Sequence, residues 1–214
     1  RPPAGWLRRT GLAAAAVLIL WLGASSFAAW RLTRRAGPRE AEPVPDLAGA
    51  RIEALRLRTT DGQDIGAWLV RPEGADARPV AVLYLHGNGA SRTRGLRGIR
   101  FLHESGYTVL SPSLRAHGDS SGDVNDLGFG ARHDVIAAVQ FLRERLPEKR
   151  IAVVAQSLGA AAAIFAAGDV APHVSAWFLE SPYTDLGLAV WNRCHGYLPP
   201  VLSHVAWAGL RLWA

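Results

Sequence analysis

The chain has 214 residues, enough for one domain with a sizeable core. With 49% apolar and 20% charged residues it falls outside the disordered class. The net charge of +6 comes from scattered basic residues with no basic stripe interleaved with aromatics, which argues against a nucleic-acid partner, and a single cysteine, Cys194, excludes an internal disulfide or a cysteine metal cluster.

Arg8 and Arg9 precede an uncharged apolar run from Leu12 to Trp30, and Arg31, Arg34 and Arg35 follow it. As a helix, its 19 or so residues reach roughly 28 Å, close to the thickness of a bilayer core. Trp6 and Trp30 sit near its ends, where interfacial tryptophan is expected. Residues 1–36 are read as a transmembrane anchor with basic flanks, which makes the protein single-pass. The competing reading is a cleaved signal peptide, since Ser26-Phe27-Ala28 has the small-x-small form of a cleavage site. That reading makes the mature protein secreted or periplasmic.

Residues 37–49 carry Pro38, Pro43 and Pro45 among charged residues and read as a stiff linker. The core is expected over residues 50–185. Arg51 to Thr59 alternates apolar and charged residues, Thr60-Asp61-Gly62-Gln63 supplies a turn, and Ile65 to Val70 resumes: an antiparallel hairpin at a sheet edge. Val80 to Leu85 is a continuous apolar strand ending in His86-Gly87-Asn88-Gly89. Arg92 to Ser105 has helical spacing. Tyr107 to Leu110 is a second buried strand, leading to Arg115-Ala116-His117-Gly118-Asp119-Ser120-Ser121-Gly122. A helix is expected over Asp126 to Arg145, opened by a capping aspartate. Ile151 to Val154 is the third buried strand, Ala160 to Ala167 a helix closed by Gly168, and Val174 to Leu179 the fourth. Residues 186–214 are apolar and aromatic, broken by Pro199-Pro200, and read as the start of a lid or cap. The chain lacks Met and ends on Leu210-Arg211-Leu212-Trp213-Ala214, so it is expected to be part of a longer protein.

Strands alternating with amphipathic helices imply a mostly parallel, doubly wound sheet, with its ligand at the carboxyl ends of the strands. The stretch Ala155-Gln156-Ser157-Leu158-Gly159 sits at such an end, between a β-branched strand and an alanine-rich helix. It has the small-x-Ser-x-Gly form of a nucleophile elbow, in which a tight turn holds the serine hydroxyl clear of the sheet. Ala155 stands where Gly is usual and adds one methyl. The competing reading is an ordinary helix start capped by Ser157.

Taken with His86-Gly87-Asn88-Gly89, the Arg115–Gly122 loop and Leu179-Glu180-Ser181-Pro182-Tyr183-Thr184, the elbow resembles the α/β-hydrolase superfamily, in its serine-aminopeptidase-like, membrane-anchored branch, over roughly Arg51 to Tyr197. The resemblance implies an incomplete α/β-hydrolase fold preceded by one transmembrane helix. It makes Ser157 the nucleophile and the Leu158 N–H one oxyanion donor, with the Asn88 N–H as the second. His86, His117 and Asp119 are read as scaffold, and Glu180 as a buried structural carboxylate. Asp185, after the fourth strand, is a candidate acid. His195 and His204 follow no strand pattern, so the triad acid and base are expected beyond this chain, and the fragment alone is expected to turn over little substrate. The implied activity is hydrolysis of an ester, thioester, amide or peptide on a small-molecule or lipid-like acyl substrate, through an acyl-enzyme and with no cofactor. A non-catalytic binding or scaffold protein on the same fold is the alternative. Haloalkane- and epoxide-directed enzymes use a carboxylate at the elbow, which Ser157 is not.

Overall fold

A computed structural model describes residues 4–35, 37–73 and 78–212. It divides into two compact units, Thr33–Pro182 and a second made of Arg1–Leu32 with Tyr183–Ala214.

The larger unit is built on six strands: β1 (Ala50–Arg58), β2 (Asp64–Pro72), β3 (Val80–Leu85), β4 (Thr108–Pro112), β5 (Arg150–Gln156) and β6 (Val174–Glu180). Their order is β1-β2-β4-β3-β5-β6. β1 and β2 form the expected hairpin, with Arg51 opposite Arg71 and Leu57 opposite Ile65. β2 runs antiparallel to β4, while β3, β4, β5 and β6 are mutually parallel. The loops that follow these four strands therefore leave the sheet on one edge, where such folds place their chemistry.

Alternation along the strands divides the core between the two faces. Leu69, Leu83, Leu85 and Val153 pack with Val135 and Leu142 of α3 (Arg132–Arg145) and the alanines of α4 (Leu158–Val170). On the opposite face Trp68, Val70 and Val109 pack with Ile99 of α2 (Leu96–Glu104) and with Leu47. The run of alanines in α4 lets the helix lie close to the sheet: Ala160, Ala162, Ala163 and Ala166 are fully buried.

Several elements differ from the sequence expectations. The stretch read as a linker has no helix or strand, yet it is not free of the domain. Leu47 enters the second core, and the Glu42 side chain, 5% exposed, lies 2.9 Å from the buried Arg92 guanidinium. α3 begins at Arg132, six residues after Asp126, because Leu127 and Gly128 adopt positive φ (58° and 113°) that a helix does not accept. Asp126 instead accepts from the Gly130 N–H at 2.8 Å. Gly168 does not close α4, which runs through it to Val170. β6 is not a buried strand: it is the sheet edge among the described residues, Phe178 is 64% exposed, and Glu180 is exposed rather than buried.

The described residues of the smaller unit form three helices, α1 (Ala4–Leu32), α5 (Leu186–Tyr197) and α6 (Pro200–Arg211). Arg8–Leu32 of α1 is long and apolar enough to cross a membrane and leaves almost all of its side chains unburied. The break at Pro199-Pro200 separates α5 from α6, and Pro200 takes the first helical position, where its missing N–H costs nothing. Residues 1–3 and 36 of the expected anchor, and Trp213 and Ala214 of the apolar terminus, lie outside the described residues.

Candidate active site

One residue, Ser157, connects β5 to α4. Its backbone sits at φ 48°, ψ −109°, a conformation that an L-residue adopts only when its surroundings enforce it. Those surroundings are identifiable. The Ser157 N–H donates to the Glu180 carbonyl at 2.8 Å, and the Gly159 N–H donates to the His86 carbonyl at 3.1 Å. The elbow is thus tied to the ends of the two strands that flank β5. A Cβ on Gly159 would stand 2.7 Å from Leu85 Cβ and 2.8 Å from the carbonyl oxygens of Leu85 and His86, so only glycine fits there. Ala155, two residues before the serine, is accommodated, its methyl buried between the paired Leu85 and Leu179. Ser157 itself is half-buried.

The loop after β3 approaches this turn. A Cβ built on Gly87 would be 3.5 Å from Ser157 Cβ. Next in sequence, Asn88 is fixed through its side chain, whose Oδ1 accepts from Asn125 Nδ2 at 2.7 Å. Gly89, at φ 69°, turns the chain away. The backbone N–H groups of Asn88 and Leu158 enter no hydrogen bond among the described residues. The structure therefore brings the His86–Gly89 loop beside Ser157, with two amide donors unspent.

The histidines of this edge are engaged. His86 Nδ1 donates to the Gly87 carbonyl at 2.8 Å, and its Nε2 accepts from the Leu114 N–H at 2.9 Å. Burial, with a smaller effect from neighbouring His117, pulls its pKa down to about 4, so it is neutral near pH 7. His117 Nδ1 donates to the Arg115 carbonyl at 2.9 Å, and its Nε2 accepts from the Gly89 N–H at 3.3 Å. Burial lowers its pKa as well. Asp119 takes a bidentate pair from Arg92, at 2.7 and 2.8 Å, and does not orient a histidine. These three residues hold the loops, in keeping with their reading as scaffold.

Two ion clusters that sequence reasoning missed set the shape of this edge. In one, Arg92, 3% exposed, lies between Asp119 and Glu42, and Glu42 also accepts from Thr93 Oγ1 at 2.8 Å. In the other, Arg115 bridges Asp61 and the fully buried Asp134, and its own N–H donates to Asp134 at 2.7 Å. The only available signal was the presence of charges, Glu42, Asp61, Arg115 and Asp119 in stretches read as linker, turn or loop and Arg92 and Asp134 in stretches read as helix. Ala116, Leu127, Ser157 and Ser181 are the four non-glycine residues at positive φ among the described residues, and all lie in loops that follow β4, β5 or β6. Backbone strain is concentrated where the fold places chemistry.

Asp185 belongs to the smaller unit, where its Oδ1 accepts from the Leu188 N–H at 2.7 Å and caps α5. His195 and His204 lie in that unit too, their rings 5.3 Å apart and both packed against Trp191.

Comparison with known proteins agrees with this geometry. Residues 80–204 match the family model described as alpha/beta hydrolase fold. The bem46 protein of Schizosaccharomyces pombe is 29% identical over 154 residues, 70% of this chain and 50% of that protein. An uncharacterized protein of Mycobacterium tuberculosis is 33% identical over 151 residues, 68% of this chain and 52% of that one. The chain thus spans about half the length of the curated relatives it matches. Among solved structures, the Pyrococcus furiosus esterase Pf2001 superposes with a TM-score of 0.62 at 26% identity, covering 78% of this chain and 67% of the esterase. By sheet order, by the strained serine between strand and helix, and by these matches, the chain belongs to the α/β-hydrolase superfamily.

Proposed function

We propose that the whole protein is a membrane-anchored serine hydrolase that cleaves an ester, thioester, amide or peptide bond of a small or lipid-like acyl substrate. In this reading Ser157 Oγ attacks the acyl carbonyl and its proton passes to a general base. The leaving group then departs with a proton returned by that base, and water releases the acyl group from Ser157 by the same route. The amides of Leu158 and Asn88 stabilise the oxyanion. The observation that carries the reading is the Ser157 backbone at φ 48°, ψ −109°, held by Gly159 packed onto Leu85 and His86. A helix start capped by serine needs no such strain, and the Ser157 side chain makes no cap hydrogen bond. Asp185 stays the candidate acid of this reading, with Oδ1 occupied by the α5 cap. His86 and His117 are both committed to backbone groups, so the base is assigned outside the β3–β5 edge. The esterase among the structural neighbours favours an ester as the first bond to try.

Retention of α1 as an anchor is favoured over signal cleavage by its packing. Trp21 Nε1 donates to the Val205 carbonyl at 3.1 Å, and Ser25 of α1 is buried against Gly209 of α6. A segment removed on export would leave that face of α6 bare. The test of function is turnover of p-nitrophenyl esters by the whole protein. Replacing Ser157 by Ala is expected to lower kcat by a factor on the order of 10⁴ or more. Turnover unchanged by that substitution refutes the reading.

A further inference from the structure

We infer that α6 is a second membrane-embedded helix, lying beside α1 and forming with it a groove that holds an acyl chain of a bilayer lipid. This rests on the reading of α1 as a membrane span. Two contacts fix the direction of α6. Trp21 pairs with Val205, and Ser25 with Gly209. Both steps are four residues in the same sense, so α6 runs parallel to α1, and Arg211 lies toward the same end as Arg31. From the level of Gly209 and Ser25, the Pro200 end of α6 reaches about 13 Å further along α1 at 1.5 Å per residue, toward the middle of the span.

What lies at that depth is suited to hydrocarbon. Cys194 to Leu210 contains no Asp, Glu, Lys or Arg. Val201 is 75% exposed and Leu202 55%. The one polar atom of Trp21 is spent on a backbone carbonyl, as an apolar medium requires. The helices meet through small residues: a Cβ on Gly209 would lie 2.9 Å from Ser25 Cβ. Close approach through small residues is how helices associate where lipid removes the hydrophobic drive. α6, at 12 residues, is too short to cross a bilayer but has the length of a re-entrant or interfacial segment.

Beside this contact the helices part and leave a cavity of about 340 Å³, lined by Trp21, Ala24 and Ala28 from α1 and by Leu202, Val205 and Ala206 from α6. A groove with these walls, half of it made by the span itself, lies at bilayer depth. The molecule available to fill it there is a lipid, and its lining matches an acyl chain rather than a headgroup.

The test uses the whole protein in membranes containing phosphatidylcholine with a diazirine in one acyl tail. After irradiation, labelled residues are mapped by peptide mass spectrometry. Labelling of both α1 and α6 is expected, and Ala206→Trp, which fills the groove, should reduce label on the groove residues about tenfold while the lipid-facing α1 residues Ile19 and Leu20 keep theirs. Label confined to α1 overturns the inference and leaves the anchor intact. A protein that washes off membranes with neither helix labelled refutes the anchor itself. Undiminished groove label in Ala206→Trp overturns the acyl site. Val201→Cys gives a check that leaves the groove untouched. In membranes it should react with a water-soluble maleimide at least about tenfold more slowly than in detergent, and equal rates overturn the embedding of α6.

Discussion

Two glycines of α4 make opposite predictions for the same substitution. Gly159→Ala places a methyl 2.7 Å from Leu85 Cβ and 2.8 Å from two backbone carbonyl oxygens, all at the end of β3. That strand end is paired with β5, Leu85 opposite Ala155, and cannot move alone. Reaching ordinary carbon contact requires α4 and β3 to separate by roughly 0.8 Å, and overpacking of this kind costs about 3 kcal/mol at the upper end of the usual range. Helix propensity returns about 1 kcal/mol, so the net loss is about 2 kcal/mol. Gly168 lies in the same helix with nothing within 4 Å of the position of a Cβ. There Gly168→Ala keeps only the propensity gain of about 1 kcal/mol. At about 2–4 °C per kcal/mol for a chain of this size, thermal unfolding followed by tryptophan fluorescence should show Gly159→Ala lower by about 4–8 °C and Gly168→Ala higher by about 2–4 °C. If Gly159→Ala melts at or above the wild-type temperature, α4 is not seated against β3 and the elbow geometry is wrong.

Other expectations follow from the same loops. Arg92→Met leaves the buried Glu42 carboxylate without its cation, and unpairing a buried charge of this kind costs about 3–5 kcal/mol, read as a fall in melting temperature; an unchanged melting temperature would show that the Glu42 segment is not docked. His86 should make the fold acid-sensitive. Its folded pKa of about 4 lies below its unfolded value of 6.5, so the unfolded chain binds the extra proton first. The stability His86 contributes is present above pH 6.5 and is lost as pH falls toward 4, by about 3 kcal/mol in all. Melting temperature against pH checks this, and His86→Gln should flatten the slope across that window; the same slope in the variant refutes the assignment.

Much of the site was legible in the sequence because its parts are local. The β-branched run Ile151–Val154 stops three residues before a serine that has small residues two positions to either side, and the steric demand of that turn is written in Ala155 and Gly159. The hairpin of β1 and β2 was equally local, set by alternation around Asp61-Gly62. Apart from the late start of α3, which the local backbone at Leu127 and Gly128 sets, the misreadings share a cause, since each depended on a partner distant in sequence. Glu42 looks like a linker charge until Arg92 and Ser113 are placed against it. Phe178 reads as buried because an apolar run does not reveal that, among the described residues, its strand has a neighbour on one side only. Gly168 reads as a helix stop, yet α4 continues because its alanine face is already committed to the sheet. Nor does composition disclose that α6 packs along α1, since both are apolar and neither has a periodicity that names its partner.

The central claim is that Ser157 carries the acyl group, and a fluorophosphonate probe tests it without knowledge of the substrate. Incubated with the whole protein and followed by peptide mapping, the probe should add its mass to the peptide bearing Ser157, and Ser157→Ala should abolish the adduct while leaving the melting curve in place. Adduct formation on another serine, or none on a folded and intact whole protein, would contradict the account.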